Sequence, residues 1–209
     1  MKLYQTPCRY KIVTSEWFRK IKININDHEM QKQKFPHKIQ KLRESERIEN
    51  LEVERVIKLC AQGDGFKNGL DIGTGSGLFT EAFLSQVPFI AGIDNDPEMI
   101  QAARVLVPHG FFVSASAEAI PFSANSFDIV FFGLVLHEID DPLKALQEAR
   151  RVAKQRVAVL EWPYPSRAEK PPLTRRFMPG EVRQLSQNVG FHHIDTFQLK
   201  RFLLYRMDM

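Results

Sequence analysis

The sequence predicts an α/β fold built on a doubly wound, mostly parallel sheet, and two observations support this. Short apolar runs alternate with helix-forming segments between residues 70 and 162, as expected when each strand is followed by a crossover helix. Gly73, Gly75 and Gly77 directly follow the first of those runs. A glycine-rich turn between strand and helix is where such sheets approach a ligand. We therefore expect a small-molecule site at the carboxyl ends of the strands.

Composition indicates an ordinary soluble domain. The chain has 209 residues, of which 44% are hydrophobic and 26% charged, and this length suits one domain with a sizeable core. The longest apolar run is too short to span a bilayer, so we expect no membrane span and a cytoplasmic location. Cys8 and Cys60 have neither metal-ligand spacing nor a disulfide framework, and no metal is expected.

Charge is distributed unevenly along the chain. Residues 51–149 hold 5 Lys and Arg against 14 Asp and Glu, whereas residues 1–50 and 150–209 are both basic. Basic ends can attract an anionic substrate, a nucleic acid or a membrane surface. Solvated helix faces are the simpler interpretation, because no basic stripe is interleaved with aromatic residues. A nucleic-acid partner is therefore not expected.

The first half of the predicted elements surrounds the glycine turn. Residues 1–48 are expected to form an N-terminal extension or lid, followed by a domain over residues 49–209. A helix is predicted over 49–61, because its apolar residues fall on one face. The next predicted elements are a strand over 70–72, a helix over 77–86, a strand over 89–94, a helix over 97–107 and a strand over 111–115.

The second half continues the alternation. The near-continuous apolar run at 127–132 indicates a buried central parallel strand, followed by a helix over 141–153 and a strand over 156–162. After a proline-rich loop, a helix over 179–189 should end at Gly190. Strands over 191–197 and 201–206 are predicted to close the chain as an antiparallel pair.

Two ligand classes compete for the glycine turn. The dinucleotide fingerprint Gly-x-Gly-x-x-Gly, started at Gly73, requires a third glycine where Leu78 stands. Asp71, two residues before the turn, would repel a pyrophosphate and attract an ammonium group. Asp94 ends the second strand, from where a carboxylate can accept hydrogen bonds from both hydroxyls of a ribose. Asp94 also lies in a good helix-capping sequence, and both roles remain open.

Four motifs in register resemble class I S-adenosylmethionine-dependent methyltransferases, especially the group of quinone-biosynthesis enzymes and their small uncharacterised relatives. The matching segments are Asp71-Ile-Gly-Thr-Gly-Ser-Gly77, Gly92-Ile-Asp-Asn-Asp-Pro-Glu-Met99, Ala117 to Val130, and Leu136-His-Glu138 with Asp140-Asp-Pro142. The resemblance covers roughly residues 50–162. It implies a Rossmann-like, seven-stranded, mostly parallel sheet with an antiparallel last strand and helices on both faces.

The resemblance also implies the methyl donor and the residues that hold it. The donor is S-adenosylmethionine, with Asp71 facing its ammonium end, Asp94 its ribose and Gly133 its methionine chain. The full implied set is Asp71, Gly73, Thr74, Gly75, Gly77, Asp94, Asn95, Ser116, Ala117, Glu118 and Gly133. Many relatives carry Asp where Ser116 stands, and a neutral acceptor there is expected to cost about 1 kcal/mol of cofactor binding.

Candidate catalytic residues follow the fourth and fifth strands. A sulfonium methyl is already activated, so an enzyme chiefly aligns the nucleophile and excludes water, while a base helps a hydroxyl or phenol. His137, Glu138 and Glu161 are the candidates for that base. The alternative for His137 is that it packs beneath the cofactor or caps the next turn, and Glu161 has a similar alternative.

The sequence does not identify the methyl acceptor. The expected activity is in-line methyl transfer to a small molecule, and the basic segments at 1–48 and 163–178 suggest the hypothesis of an anionic acceptor. Two alternatives remain open: a cofactor-binding regulatory or partner protein without turnover, and a methyltransferase acting on RNA or protein. The oligomeric state is also open.

Overall fold

The computed structural model describes residues 35–63, 65–164 and 171–209, and these contain a seven-stranded sheet. Its strands are β1 (Asn68–Ile72), β2 (Phe89–Asp94), β3 (Phe111–Ser114), β4 (Phe127–Gly133), β5 (Ala153–Glu161), β6 (His193–Gln198) and β7 (Leu203–Asp208). They stand in the order β3-β2-β1-β4-β5-β7-β6. The last strand, β7, is antiparallel to both of its neighbours, and the other described pairs are parallel. The predicted fold class is confirmed.

The strand order places a switch point between β1 and β4. From β1 the chain proceeds outward through β2 and β3, and then returns to pair β4 against the other side of β1. Crossovers on opposite sides of this point leave a crevice at the carboxyl ends of the strands, where open α/β sheets hold their ligands. The glycine turn directly follows β1 and therefore lies at this crevice.

Seven α-helices lie in the described residues. They are α1 (His37–Leu42), α2 (Ser45–Asn50), α3 (Val53–Ala61), α4 (Leu78–Phe83), α5 (Pro97–Leu106), α6 (Pro142–Val152) and α7 (Glu181–Asn188), with short 3-10 helices at Leu136–Glu138 and Leu173–Arg175. The single helix predicted over 49–61 is instead parts of α2 and α3. Glu52 separates them with a left-handed φ of 49°, a conformation that does not continue a right-handed helix.

Both faces of the sheet are covered, and β4 shows how the sequence specifies this. Val130 and Phe132 point into the core beneath α6 and α7, whereas Ile129 and Phe131 point into the core beneath α3 and α4. Adjacent side chains of a strand point to opposite faces, so a strand with both faces buried is apolar at nearly every position. The exception in β4 is buried Asp128, whose carboxylate accepts hydrogen bonds from two backbone N–H groups. This explains the near-continuous apolar run.

Some predictions fall outside this description. Most of the extension or lid expected over residues 1–48 does so, since the described residues begin at 35, and so do residues 165–170 of the basic segment at 163–178. In the portion of the chain that the structure describes, no helix combines the length and apolar character needed to cross a membrane.

Candidate functional site

The glycine turn is held between the ends of two neighbouring strands. Gly73 has a φ of 66°, which favours glycine, and a methyl group at this position would collide with the side chain of Val135. The backbone N–H of Thr74 donates to the carbonyl of Ile93 at 2.9 Å. The turn is therefore packed between the end of β2 and the loop after β4, which fixes its backbone at the crevice.

The carboxyl of Asp71 holds the inside of this turn. Asp71 is buried, and its Oδ2 accepts hydrogen bonds from the hydroxyls of Thr74, at 2.8 Å, and Thr80, at 2.7 Å. Burial raises the pKa of Asp71 to about 6, while the hydroxyl donors oppose that rise. The side chain thus links the strand end to α4, and its interaction with the ammonium end of a cofactor stays a prediction.

The Asp94 carboxylate reaches the turn from the neighbouring strand. Its Oδ2 accepts from the backbone N–H of Gly75 at 2.8 Å, and its Oδ1 accepts from the backbone N–H of Asp96 at 2.9 Å. Burial raises the pKa of Asp94, and those two hydrogen bonds oppose the rise. Each carboxylate oxygen can accept more than one hydrogen bond, so both retain capacity for ligand hydroxyls. Helix α5 is capped by Asp96 and not by Asp94, because the Asp96 side chain accepts from Glu98 N.

A cavity of about 500 Å³ opens at these strand ends. This volume lies within the range of roughly 300–1,000 Å³ typical of small-molecule sites. Among the residues predicted to bind a cofactor, those lining it are Gly73, Gly75, Asp94, Asn95, Ser116, Ala117, Glu118 and Gly133. Asp71, Thr74 and Gly77 do not line it, because they form the inside of the turn. The structure therefore brings together segments that follow β1, β2, β3 and β4.

The segment after β3 forms a short turn at one end of the cavity. The Ser116 hydroxyl accepts from the backbone N–H of Glu118 at 3.1 Å, and the Ser116 carbonyl accepts from Ala119 N at 3.2 Å. The Glu118 carboxylate in turn accepts from the backbone N–H of Asp141 at 2.9 Å. This turn is thereby joined to the start of α6, and it presents Ser116 and Glu118 along the cavity wall.

The three candidate catalytic residues separate into two groups. Glu138 lines the cavity and is exposed. His137 and Glu161 are buried away from it, with the His137 Nδ1 2.9 Å and 3.0 Å from the two carboxylate oxygens of Glu161. Glu161 also accepts from the backbone N–H groups of His137 and Trp162. The pair joins the end of β5 to the 3-10 helix after β4, and His137 Nε2 lies 3.7 Å from Glu138 Oε1.

The sequence did not identify the part of the wall that comes from α1 and α2. Lys38 and Leu42 on α1, and Arg47 on α2, all line the cavity. The buried Arg43 anchors α1 to the turn, since its guanidinium donates to the carboxylate of Glu81 and to the hydroxyl and carbonyl of Ser76. The basic character of residues 1–50 does not specify which residues reach the cavity.

Acidic side chains dominate the charged lining. The carboxylates are Asp94, Asp96, Glu118, Glu138 and Asp140, and the described cations are Lys38 and Arg47. Such a lining repels a pyrophosphate and attracts ammonium and sulfonium groups, so the donor set fits S-adenosylmethionine better than a dinucleotide. Within the described ranges, no group of three or more His, Cys, Asp or Glu is placed to hold a metal ion.

Comparison with known families agrees with this geometry. Residues 70–160 match the model of a methyltransferase domain. The uncharacterized methyltransferase YcgJ of Bacillus subtilis is 36% identical over 91 residues, which cover 41% of this chain and 36% of that protein. A ubiquinone/menaquinone biosynthesis C-methyltransferase of Citrifermentans bemidjiense is 34% identical over 122 residues, which cover 53% of this chain and 51% of that protein. The chain thus spans about a third to a half of the length of these curated relatives.

Solved structures extend the likeness across most of the chain. A S-adenosylmethionine-dependent methyltransferase from Aquifex aeolicus superposes with a TM-score of 0.69 and 25% identity, covering 82% of this chain and 96% of that one. The fold, the matched segment and this likeness agree. Residues 70–160 form a methyltransferase domain of the class I S-adenosylmethionine-dependent superfamily.

Proposed function

We propose that the protein transfers a methyl group from S-adenosylmethionine to a small-molecule acceptor. The observation that carries the proposal is the acid-lined cavity at the glycine turn, with Asp94 held there by the backbone of Gly75. A carboxylate in this position suits the two hydroxyls of a ribose. The same acidic lining favours the cationic methionine end of the donor over a phosphate.

Different residues of the cavity hold different parts of the donor. Asp94 accepts the ribose hydroxyls, Ser116 and Glu118 border the adenine, and Gly73 and Gly133 allow close approach along the methionine chain. When bound, the donor supplies a methyl group already activated by its sulfonium. The protein contributes alignment of the acceptor and exclusion of water.

Glu138 is the candidate group for receiving a proton from the acceptor, because it alone of the three predicted catalytic residues lines the described cavity. Buried His137, held by Glu161, acts as a positioning residue behind it. A carboxylate is a sufficient proton acceptor where the nucleophile is an acidic phenol or an enol, because proton transfer to it becomes less uphill as the acceptor's own pKa falls. The relative named as a ubiquinone/menaquinone biosynthesis C-methyltransferase makes quinone-related ring compounds the first acceptors to test.

Calorimetric titration with S-adenosylmethionine and S-adenosylhomocysteine tests the donor. Asp94→Ala should weaken binding of both by about 1.5–3 kcal/mol, because charged hydrogen bonds to the ribose are lost. Lys38→Met is the matched control, since Lys38 also lines the cavity but its ammonium is paired with Asp96 and Glu98. Circular dichroism and thermal melting show whether either variant remains folded.

Failure of the wild-type protein to bind either compound would overturn the proposal. Turnover is then measured as S-adenosylhomocysteine release with phenolic, amine, thiol and carboxylate acceptors, and with RNA and protein. Tight binding without turnover on that panel would favour a regulatory or partner protein instead, and activity restricted to RNA or protein would favour the other alternative. Equal effects of Asp94→Ala and Lys38→Met would remove Asp94 from the ribose position.

A further inference from the structure

The turn between β6 and β7, residues 199–202, lies at the carboxyl end of β5. Leu203, the first residue of β7, is opposite both Glu161, the last residue of β5, and Gln198, the last residue of β6. β5 also pairs with β4, whose last residue, Gly133, lines the cavity. The turn is therefore at the same edge of the sheet as the cavity, two strands away from β4.

An aromatic and cationic stack holds a second segment, residues 171–178, beside this turn. Trp162 directly follows β5, and its ring packs edge-on against Phe202 with the ring centroids 4.6 Å apart. The guanidinium carbon of Arg176 lies 5.7 Å from the centroid of the Trp162 ring, which is within the range of a cation–π interaction. The Arg176 Nε donates to the carbonyl of Pro171 at 2.8 Å. The two segments are thus joined through Trp162 into one surface.

This surface exposes aliphatic and cationic side chains together. Leu173 is 50% exposed and Met178 is 55% exposed, and three cations of the same two segments are exposed as well. The other large hydrophobic side chains that are exposed in the described ranges lie elsewhere, at the first residues of β2 and β3 and at the C-terminus. We call the exposed set the carboxyl-edge patch, and its members are Leu173, Arg175, Met178, Lys200 and Arg201.

Carboxylates beside the patch do not cancel its positive charge. Glu181 accepts from the backbone N–H of Met178 at 2.8 Å. Glu52 accepts from the backbone N–H of Lys200, and it also pairs with Arg55 at 3.0 Å. Because Arg55 offsets the charge of Glu52, the three cations of the patch keep a net positive charge against these two carboxylates. The patch is therefore suited to an anionic partner.

An anionic lipid surface fits this combination of side chains. Cations near a bilayer are attracted to its anionic headgroups, and aliphatic side chains beside them can enter the boundary between headgroups and acyl chains. A nucleic acid would instead favour exposed aromatic rings on which bases stack. The rings here, Trp162 and Phe202, pack against each other. The patch therefore favours a membrane surface over a nucleic acid.

We infer that the carboxyl-edge patch docks the protein onto the surface of an anionic lipid bilayer. Docking needs no methyl donor, so the inference goes beyond the proposed function and does not depend on it. Because the cavity opens at the same edge of the sheet, a docked domain would hold that edge close to the lipid. The cavity would then be near an acceptor dissolved in the bilayer.

Co-sedimentation of the full chain with lipid vesicles tests the docking. The probes are vesicles of phosphatidylcholine alone and vesicles in which about a third of the lipid is phosphatidylglycerol. Wild-type protein should bind the anionic vesicles at least about 20-fold more tightly, because each cation near such a surface contributes about a fivefold gain, and added salt should weaken this binding. Lys200→Gln with Arg201→Gln should weaken it about 10- to 25-fold, and Leu173→Ser with Met178→Ser about 3- to 10-fold.

Two double variants at the opposite edge of the sheet, where the parallel strands begin, are the matched controls. Phe89→Ser with Phe111→Ser removes two exposed hydrophobic side chains, and Lys67→Gln with Lys154→Gln removes two exposed cations. Each should keep vesicle binding within about twofold of the wild type. Thermal melting shows whether all four double variants remain folded.

Equal affinity of the wild type for both kinds of vesicle would overturn the inference, as would equal losses in the patch variants and their controls. Patch-dependent binding to RNA or to polyglutamate, without binding to vesicles, would assign the patch to another partner and also overturn it. Calorimetry with S-adenosylmethionine separates the two proposals. Vesicle binding without donor binding would refute the proposed function alone, and the reverse would refute the docking alone.

Discussion

Replacing Asp71 by asparagine tests the electrostatic cost of the carboxyl inside the turn. The folded-state pKa of Asp71 is raised from 3.8 to about 6, chiefly because the group is buried. A carboxyl with a raised pKa binds its proton more tightly in the folded state than in the unfolded state. Its contribution to stability is therefore full below the unfolded pKa and is lost as the pH rises through the folded pKa. Asparagine has no such titration.

The size of the effect follows from the pKa. One pKa unit corresponds to about 1.4 kcal/mol, so ionised Asp71 lowers the free energy of unfolding by about 3 kcal/mol at pH well above 6. Between about pH 4.5 and pH 8, the wild type should lose about 2 kcal/mol relative to Asp71→Asn. The asparagine carbonyl can still accept the hydroxyls of Thr74 and Thr80, so the turn should be retained.

Urea unfolding at several pH values between these limits provides the measurement. The stability difference between wild type and Asp71→Asn should change with pH over this range. A pH-independent difference for Asp71→Asn would refute the argument, because it would mean that the threonine hydroxyls fully offset the cost of burial.

Three further predictions concern the parts that surround the cavity. Arg43→Met should lower the free energy of unfolding in urea by about 2–3 kcal/mol, because the Glu81 carboxylate loses its ion pair and the turn loses the hydrogen bonds from the guanidinium; an unchanged midpoint would contradict this. Gly73→Ala should lower the melting temperature more than Gly75→Ala, since both positions are left-handed but only the first would also collide with a side chain closer than 3 Å. Glu161→Gln should cost about 1–3 kcal/mol of stability by facing an amide group toward His137. The affinity of this variant for S-adenosylhomocysteine, measured by calorimetry, should change less than about twofold. A larger loss of affinity while the variant remains folded would show that the His137–Glu161 pair acts on the cavity directly.

Much of the sheet could be predicted because its signals are local. The bounds of β2 are those predicted, and β4 extends one residue further, to Gly133. Each strand signal depends on the chain segment itself: an apolar run of strand length, bounded by turn residues. The break at Glu52 could not be predicted, because its left-handed backbone is stabilised by contacts with distant residues, including Lys200, whose backbone N–H donates to the Glu52 carboxylate.

The cavity also combines residues that the sequence could identify with residues that it could not. Gly73 and Asp94 could be identified because motif spacing places them at the ends of adjacent strands. Arg47 could not, since it reaches the cavity from a helix whose position depends on packing against the domain. The pairing of His137 with Glu161 also joins residues 24 positions apart, and it turns His137 away from the cavity that its position in the sequence suggested.

The sequence by itself determined the doubly wound class, the tight turn at Gly73 and the acidic residue at the end of β2. These depend on backbone conformation and on the period of apolar residues, which neighbouring residues specify. The tertiary structure alone decided which polar side chains line the cavity and which face inward. Asp71 bonds to threonines inside the turn, whereas Arg47 lines the cavity with an unpartnered Nε among the described residues. The physical reason is that the cost of burying a charge depends on the groups packed around it, and these come from distant parts of the chain.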